Sequence, residues 1–123
     1  MLVAYLLLNA VLYAGFALVT SIAPARIAAA LGFSLDTPGR IEFLTVYGGL
    51  ELGLAAFYAW AVCAGAPMQR AALMFSLFQY AGLVLYRGAG LVAYGAPGST
   101  VLAVAGLELL LLIGAVALVL RTG

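Results

Sequence analysis

Residues 40–58, RIEFLTVYGGLELGLAAFY, decide how the chain is read. The run is apolar enough to cross a bilayer, yet Glu51 stands almost at its centre. An ionised carboxylate at that depth costs about 2.5–3.5 kcal/mol on insertion scales. Such a residue therefore has a partner or carries a proton. Two later residues, Arg87 and Glu108, also lie inside apolar runs and are its candidate partners. The expectation is a small all-α integral membrane protein with a charged interior.

Composition points the same way. The chain is 67% hydrophobic and 7% charged, with a mean hydropathy of +1.24, whereas soluble domains carry roughly 25% charged residues. Its 123 residues hold about four spans of ~20 residues with short loops. That makes residues 1–123 a single transmembrane domain. A net charge of +1 offers no polycationic face, so nucleic acid is not an expected partner. The absence of His removes the usual haem and zinc ligands and the usual proton shuttle, and neither metal nor cofactor is expected. The single Cys63 cannot close an internal disulfide and reads as a small apolar helix residue.

Taken in order, the spans are expected near residues 3–23, 41–63, 71–93 and 100–120, as an antiparallel four-helix bundle without strands, because an open sheet edge has no hydrogen-bond partner in hydrocarbon. Ala23-Pro24-Ala25 resembles a signal-peptidase site, but the run before it lacks a basic start and is longer than a signal core, so it reads as a retained helix ending at Pro24. Along it Tyr5, Asn9, Tyr13, Phe16 and Thr20 recur at spacings of four, four, three and four. They share one face, which should point into the bundle. The bland reading makes Tyr5 an interfacial anchor and Asn9 interhelical glue; the functional one makes Asn9 and Tyr13 part of a polar site. Between the first two spans, residues 25–31 are too short to cross and suggest a short interfacial helix ended by Gly32, with Thr37-Pro38-Gly39 turning the chain into the second span.

The second span places Tyr47, Glu51, Leu54 and Tyr58 on one side. Gly49 and Gly53 form a GxxxG nearly opposite, expected to pack on another helix of the bundle or of a second copy. Residues 65–70 read as a polar turn and residues 95–99 as the third loop. In the third span Tyr80, Arg87 and Tyr94 fall seven apart, with Gln79 about 80° round from that line. Glu108 is the one charge within the fourth span, and Arg121 closes it at the interface.

At ~1.5 Å per residue, Glu51 and Glu108 fall near their span centres and Arg87 lies ~7–8 Å from its own. A Glu51–Arg87–Glu108 cluster with Tyr47 and Tyr80 nearby is therefore geometrically reasonable. One Arg against two Glu leaves a surplus negative charge, so one carboxyl is protonated or a cation or ligand completes the set. As structure, the cluster is a static clasp that fixes helix register. As function, it is a binding or translocation site for a small lipophilic or cationic ligand, the reading favoured here because a clasp needs no surplus carboxylate.

The residues Arg40, then Tyr47-Gly48-Gly49-Leu50-Glu51-Leu52-Gly53, then Leu85-Tyr86-Arg87, then Leu107-Glu108-Leu109 resemble DUF4345, a family of small bacterial four-helix membrane proteins of unassigned function. The resemblance covers most of the chain. It implies four spans, a bacterial inner-membrane location, and Glu51, Arg87 and Glu108 as a polar signature. It implies no activity.

Two other functions compete with ligand binding. One is an accessory or scaffold subunit, docking a second copy or a larger membrane complex through its glycine or lipid-facing surfaces. The other, ranked last, is an intramembrane enzyme with a glutamate as general acid or base, since no nucleophile–base pair, metal cluster or phosphate loop is present. Arg26 and Arg40 flank the first loop and Arg70 and Arg121 the other side, a tie under the positive-inside rule. The free amino terminus tips it towards both termini in the cytoplasm.

Overall fold

In the computed structural model, which describes residues 1–95 and 97–123, every regular element among the described residues is helical. Helix α1 spans Leu2–Ile22. It stops before Pro24, whose ring and missing N–H forbid continuation, and Ala23 breaks the path at φ −134° and ψ 61°. Pro24 then opens α2, Pro24–Ala30, at the position where a missing N–H is harmless. Gly32 ends it in the left-handed region (φ 83°). The Phe33 N–H donates to the Ala28 carbonyl and the Gly32 N–H to that of Ala29, at 2.8 and 3.1 Å. This is the paired bonding of a Schellman cap.

Helix α3 is continuous from Thr37 to Cys63. Thr37-Pro38-Gly39 is its first turn rather than a preceding loop, because the Asp36 carboxylate accepts the Gly39 N–H at 2.7 Å. A Cβ on Gly39 would meet that same oxygen at 2.7 Å, so a larger residue there would have to push the Asp36 carboxylate aside. Within α3, Thr45–Leu50 is wound as π-helix, and Glu51 follows it directly. Bonding five residues back widens the turn, so a four-residue step there falls short of one revolution.

The polar turn expected over residues 65–70 is shorter. Ala64 and Gly65 (φ 92°) make it, and Pro67 already lies in the first turn of α4, Ala66–Tyr94. The Gln69 side chain donates to the Val62 carbonyl at 2.9 Å, closing the end of α3. Of the third loop, Gly95, Pro97 and Gly98 precede α5, Ser99–Thr122, of which Ser99 is the first residue; Ala96 lies outside the described residues.

Three helices, α1, α3 and α5, are long and apolar enough to cross a membrane. Helix α4 is longer, at 29 residues, but with Gln69, Arg70, Gln79 and Arg87 along it, it does not meet the same measure. Helix α1 lies along α3, and α4 along α5. Tyr13 stacks on Tyr58 at 5.9 Å while Phe16 meets Tyr47 at 6.5 Å, so α1 and α3 run antiparallel. The tight core sits at one end, where Leu6 and Ala10 meet Tyr58 and Ala61, Ala72 and Leu73, and Ala115. Small alanines bring these helices close. Towards the other end a cleft lies between all four long helices.

Within this chain the glycine that admits a neighbour is Gly48 rather than the GxxxG pair. Gly48 is buried, and a Cβ there would touch the Ser21 Oγ at 3.4 Å. Gly49 and Gly53 are exposed, and no helix of this chain covers them: only a carbonyl of their own helix comes within 4.0 Å of Gly49 and nothing does so at Gly53. The cause lies in the π turn, which rotates everything after it relative to an unbroken α-helix. Gly48→Leu is accordingly expected to lower stability by about 1–3 kcal/mol through overpacking against α1. Gly53→Leu should leave the folded monomer unchanged. Unfolding of the two variants in mixed micelles reads the difference.

Candidate functional site

The charges meet in part as expected. Arg87 on α4 and Glu108 on α5 form a two-pronged pair, with Nε donating to Oε2 at 2.6 Å and Nη2 donating to Oε1 at 2.7 Å. The side chains are 28% and 11% exposed, so the pair is substantially withdrawn from solvent. One planar edge of the guanidinium satisfies both carboxylate oxygens, the strongest geometry available to these groups.

Glu51 is not part of that pair. No group among the described residues hydrogen-bonds its buried Oε2. The expected three-residue cluster is thus one closed ion pair plus one carboxylate left over. All three residues line a single cleft of about 560 Å³, together with Tyr13, Gln79 and Tyr80. Its other walls are apolar, among them Leu12, Phe16, Leu54 and Val104. Val46, Leu50 and Leu83 line it too while remaining exposed on the outer surface. The cleft can therefore be reached from the side, between helices.

Tyr47 does not line the cleft. It stacks on Phe43 at 4.6 Å and borders Phe33 and Phe16 in an aromatic group beside the first loop. The π turn between Tyr47 and Glu51 alters their relative direction from that of an unbroken α-helix.

The inward face of α1 is as its spacing implied. Tyr5, Asn9 and Thr20 are buried and Tyr13 and Phe16 half-buried. Asn9 works as glue: its Nδ2 donates to the Tyr5 carbonyl at 2.8 Å, and its Oδ1 accepts from the Tyr80 hydroxyl. Tyr5 donates to the Leu111 carbonyl at 2.9 Å, tying α1 to α5. Tyr80→Phe would leave the buried Asn9 oxygen unpaired, a loss of about 1–3 kcal/mol, which chemical unfolding of the variant measures.

A second polar chain reaches the cleft through Tyr13 and Tyr58, through Gln79, which the spacing set off the Tyr80–Arg87 line, and through Ser76, which the spacing argument passed over. Tyr58 donates to Gln79 Oε1 at 2.9 Å, and Gln79 Nε2 donates to the Tyr13 hydroxyl at 2.6 Å. Because Tyr58 has spent its one proton, Ser76 must be the donor in the 2.7 Å bond between them. The order is therefore Ser76 to Tyr58 to Gln79 to Tyr13. Tyr13 accepts at its end of the chain, in the lining of the cleft. The signal for this was available: Ser76, Gln79 and Tyr80 lie three and four apart, an inward polar face like that of α1.

Comparison with family models, curated proteins and solved structures finds no match. What the site can do must be argued from its own chemistry. It presents one uncommitted carboxylate in a largely apolar cleft. Among the described residues no three metal-ligating side chains converge. Glu108, the other carboxylate of the cleft, is already held by Arg87.

Proposed function

We propose that the chain is a multi-pass protein of a bacterial inner membrane that binds or translocates a small lipophilic or cationic ligand in this cleft. Its four long helices form an antiparallel bundle, with α2 at the interface and both termini cytoplasmic. The DUF4345 resemblance implies the same four spans and adds no activity. One observation carries the reading: Glu51 lines an apolar cleft with a buried, unpartnered oxygen while Arg87 is spent on Glu108. A charge kept only for structure is expected to be paired, since unpaired it is a burden on the fold. A cleft of this size falls within the range typical of small-molecule sites, roughly 300–1,000 Å³.

Native mass spectrometry of the protein extracted in mild detergent tests this. The expected result is a bound small molecule that is lost from Glu51→Gln. A spectrum without any adduct, or one whose adduct survives that change, counts against the reading.

A second reading, an accessory subunit or homo-oligomer, is favoured by the outward Gly49 and Gly53. Small residues at that spacing let a second transmembrane helix approach closely. A Gly53→Leu variant that changes assembly size without changing monomer stability would support it; an unchanged size would remove it.

A further inference from the structure

The charges around the cleft also define what it selects. Both oxygens of Glu108 are engaged by Arg87, so that pair is electrically closed. The remaining lining charge is Glu51, and its partners in the wall are apolar or aromatic side chains. We propose that the cleft is a site for amphipathic monocations, an ammonium or similar centre on an apolar body, with Glu51 as their counter-charge. This inference rests on the ligand-binding reading above and narrows it.

Charge complementarity separates the classes of ligand. An anion would meet the Glu51 carboxylate across a low-dielectric cleft whose one guanidinium is already paired with Glu108. A neutral molecule without a hydrogen-bond donor would fill the walls but leave the carboxylate oxygen as unpartnered as before. A dication would bring one charge too many into the same surroundings. A monocation balances an ionised Glu51, and its apolar body covers Leu54 and Val104.

A further feature suits a cation. Tyr13, Phe16 and Tyr80 contribute aromatic rings to the lining, and ring faces attract cationic centres, more strongly where water is excluded. Tyr13 lines the cleft with Glu51, and Gln79 holds its hydroxyl in place by donating to it.

Three probes of similar aromatic bulk separate charge from shape: tetraphenylphosphonium, tetraphenylborate and the neutral triphenylphosphine oxide. Each is measured separately by equilibrium dialysis of the protein in phosphatidylcholine nanodiscs against empty nanodiscs, which removes simple partition. Saturable binding is expected for tetraphenylphosphonium, with no saturable binding of the borate. In Glu51→Gln the dissociation constant for tetraphenylphosphonium should rise about thirtyfold or more, the usual consequence of truncating one partner of a buried charge pair. Glu51→Asp, which keeps the charge, should retain the preference. Equal saturable binding of all three probes, or a Glu51→Gln variant that binds the cation as the parent does, overturns the inference while ligand binding itself stands. Absence of saturable binding by any probe overturns both. The comparison of probes on the unaltered protein decides the point even if a variant fails to fold.

Discussion

Arg87→Leu is expected to be the most damaging single replacement in the chain, at about 3 kcal/mol or more. The change strips both donors from Glu108, which is itself buried. Breaking a buried pair from one side leaves an uncompensated charge, which costs far more than removing the pair as a whole. Arg87→Leu combined with Glu108→Leu should therefore recover most of the loss, since two apolar side chains then pack where two charges were. Unfolding of the two single variants and the double variant in mixed micelles gives the coupling between the sites directly. Additive losses would mean that the pair seen between α4 and α5 contributes nothing to the fold.

Glu51→Leu is expected to act with the opposite sign, raising stability by about 2 kcal/mol, because it removes, from a helix apolar enough to cross a membrane, a carboxylate for which the described residues provide no partner. The contrast with Glu108 is the point. Both are glutamates in apolar runs lining one cleft, yet one is held by two hydrogen bonds and the other by none among the described residues. A residue whose removal stabilises the fold is retained for something other than the fold, the usual trade between stability and activity. The same unfolding measurement checks it: a Glu51→Leu variant as unstable as Glu108→Leu would mean that Glu51 is a structural partner after all.

Much of the architecture was legible in the sequence because hydrocarbon leaves the backbone few choices. Apolar runs of ~20 residues must be helical, and Pro24, Gly32 and Pro67 mark where helices stop or start for local steric reasons. The inward face of α1 was equally legible, since its polar residues recur with the period of a regular helix. Where the period changed, the reading failed. The π turn over Thr45–Leu50 carries no strong local signature beyond its two glycines. Around it Tyr47 stands outside the cleft, Gly49 and Gly53 are exposed, and Gly48 is the contact glycine. Spacing alone treats α3 as one uniform helix and cannot register that shift.

The candidate site was legible in its members more than in its bonds. Depth arithmetic brought Glu51, Arg87 and Glu108 to one region, and all three line the cleft. It could not say which carboxylate Arg87 would take, because that depends on side-chain reach and on how the helices pack. Helices α4 and α5 lie against each other, which gives Glu108 the advantage. The chain through Ser76, Tyr58, Gln79 and Tyr13 was missed for a similar reason: Gln79 sits off the line joining Tyr80 and Arg87 and meets its partners only through the crossing of three helices.

The central claim is that Glu51 is the uncommitted carboxylate of an apolar, accessible cleft while Glu108 is not. Labelling at low pH with dicyclohexylcarbodiimide, a membrane-soluble reagent whose nitrogen takes the carboxyl proton as the carboxyl oxygen adds to its carbon, tests it at residue resolution when followed by peptide mass spectrometry, because an uncommitted carboxyl carries that proton at low pH. The account predicts modification at Glu51 with Glu108 protected, because both Glu108 oxygens are held by Arg87. Equal modification of the two glutamates, or an unreactive Glu51, would contradict it.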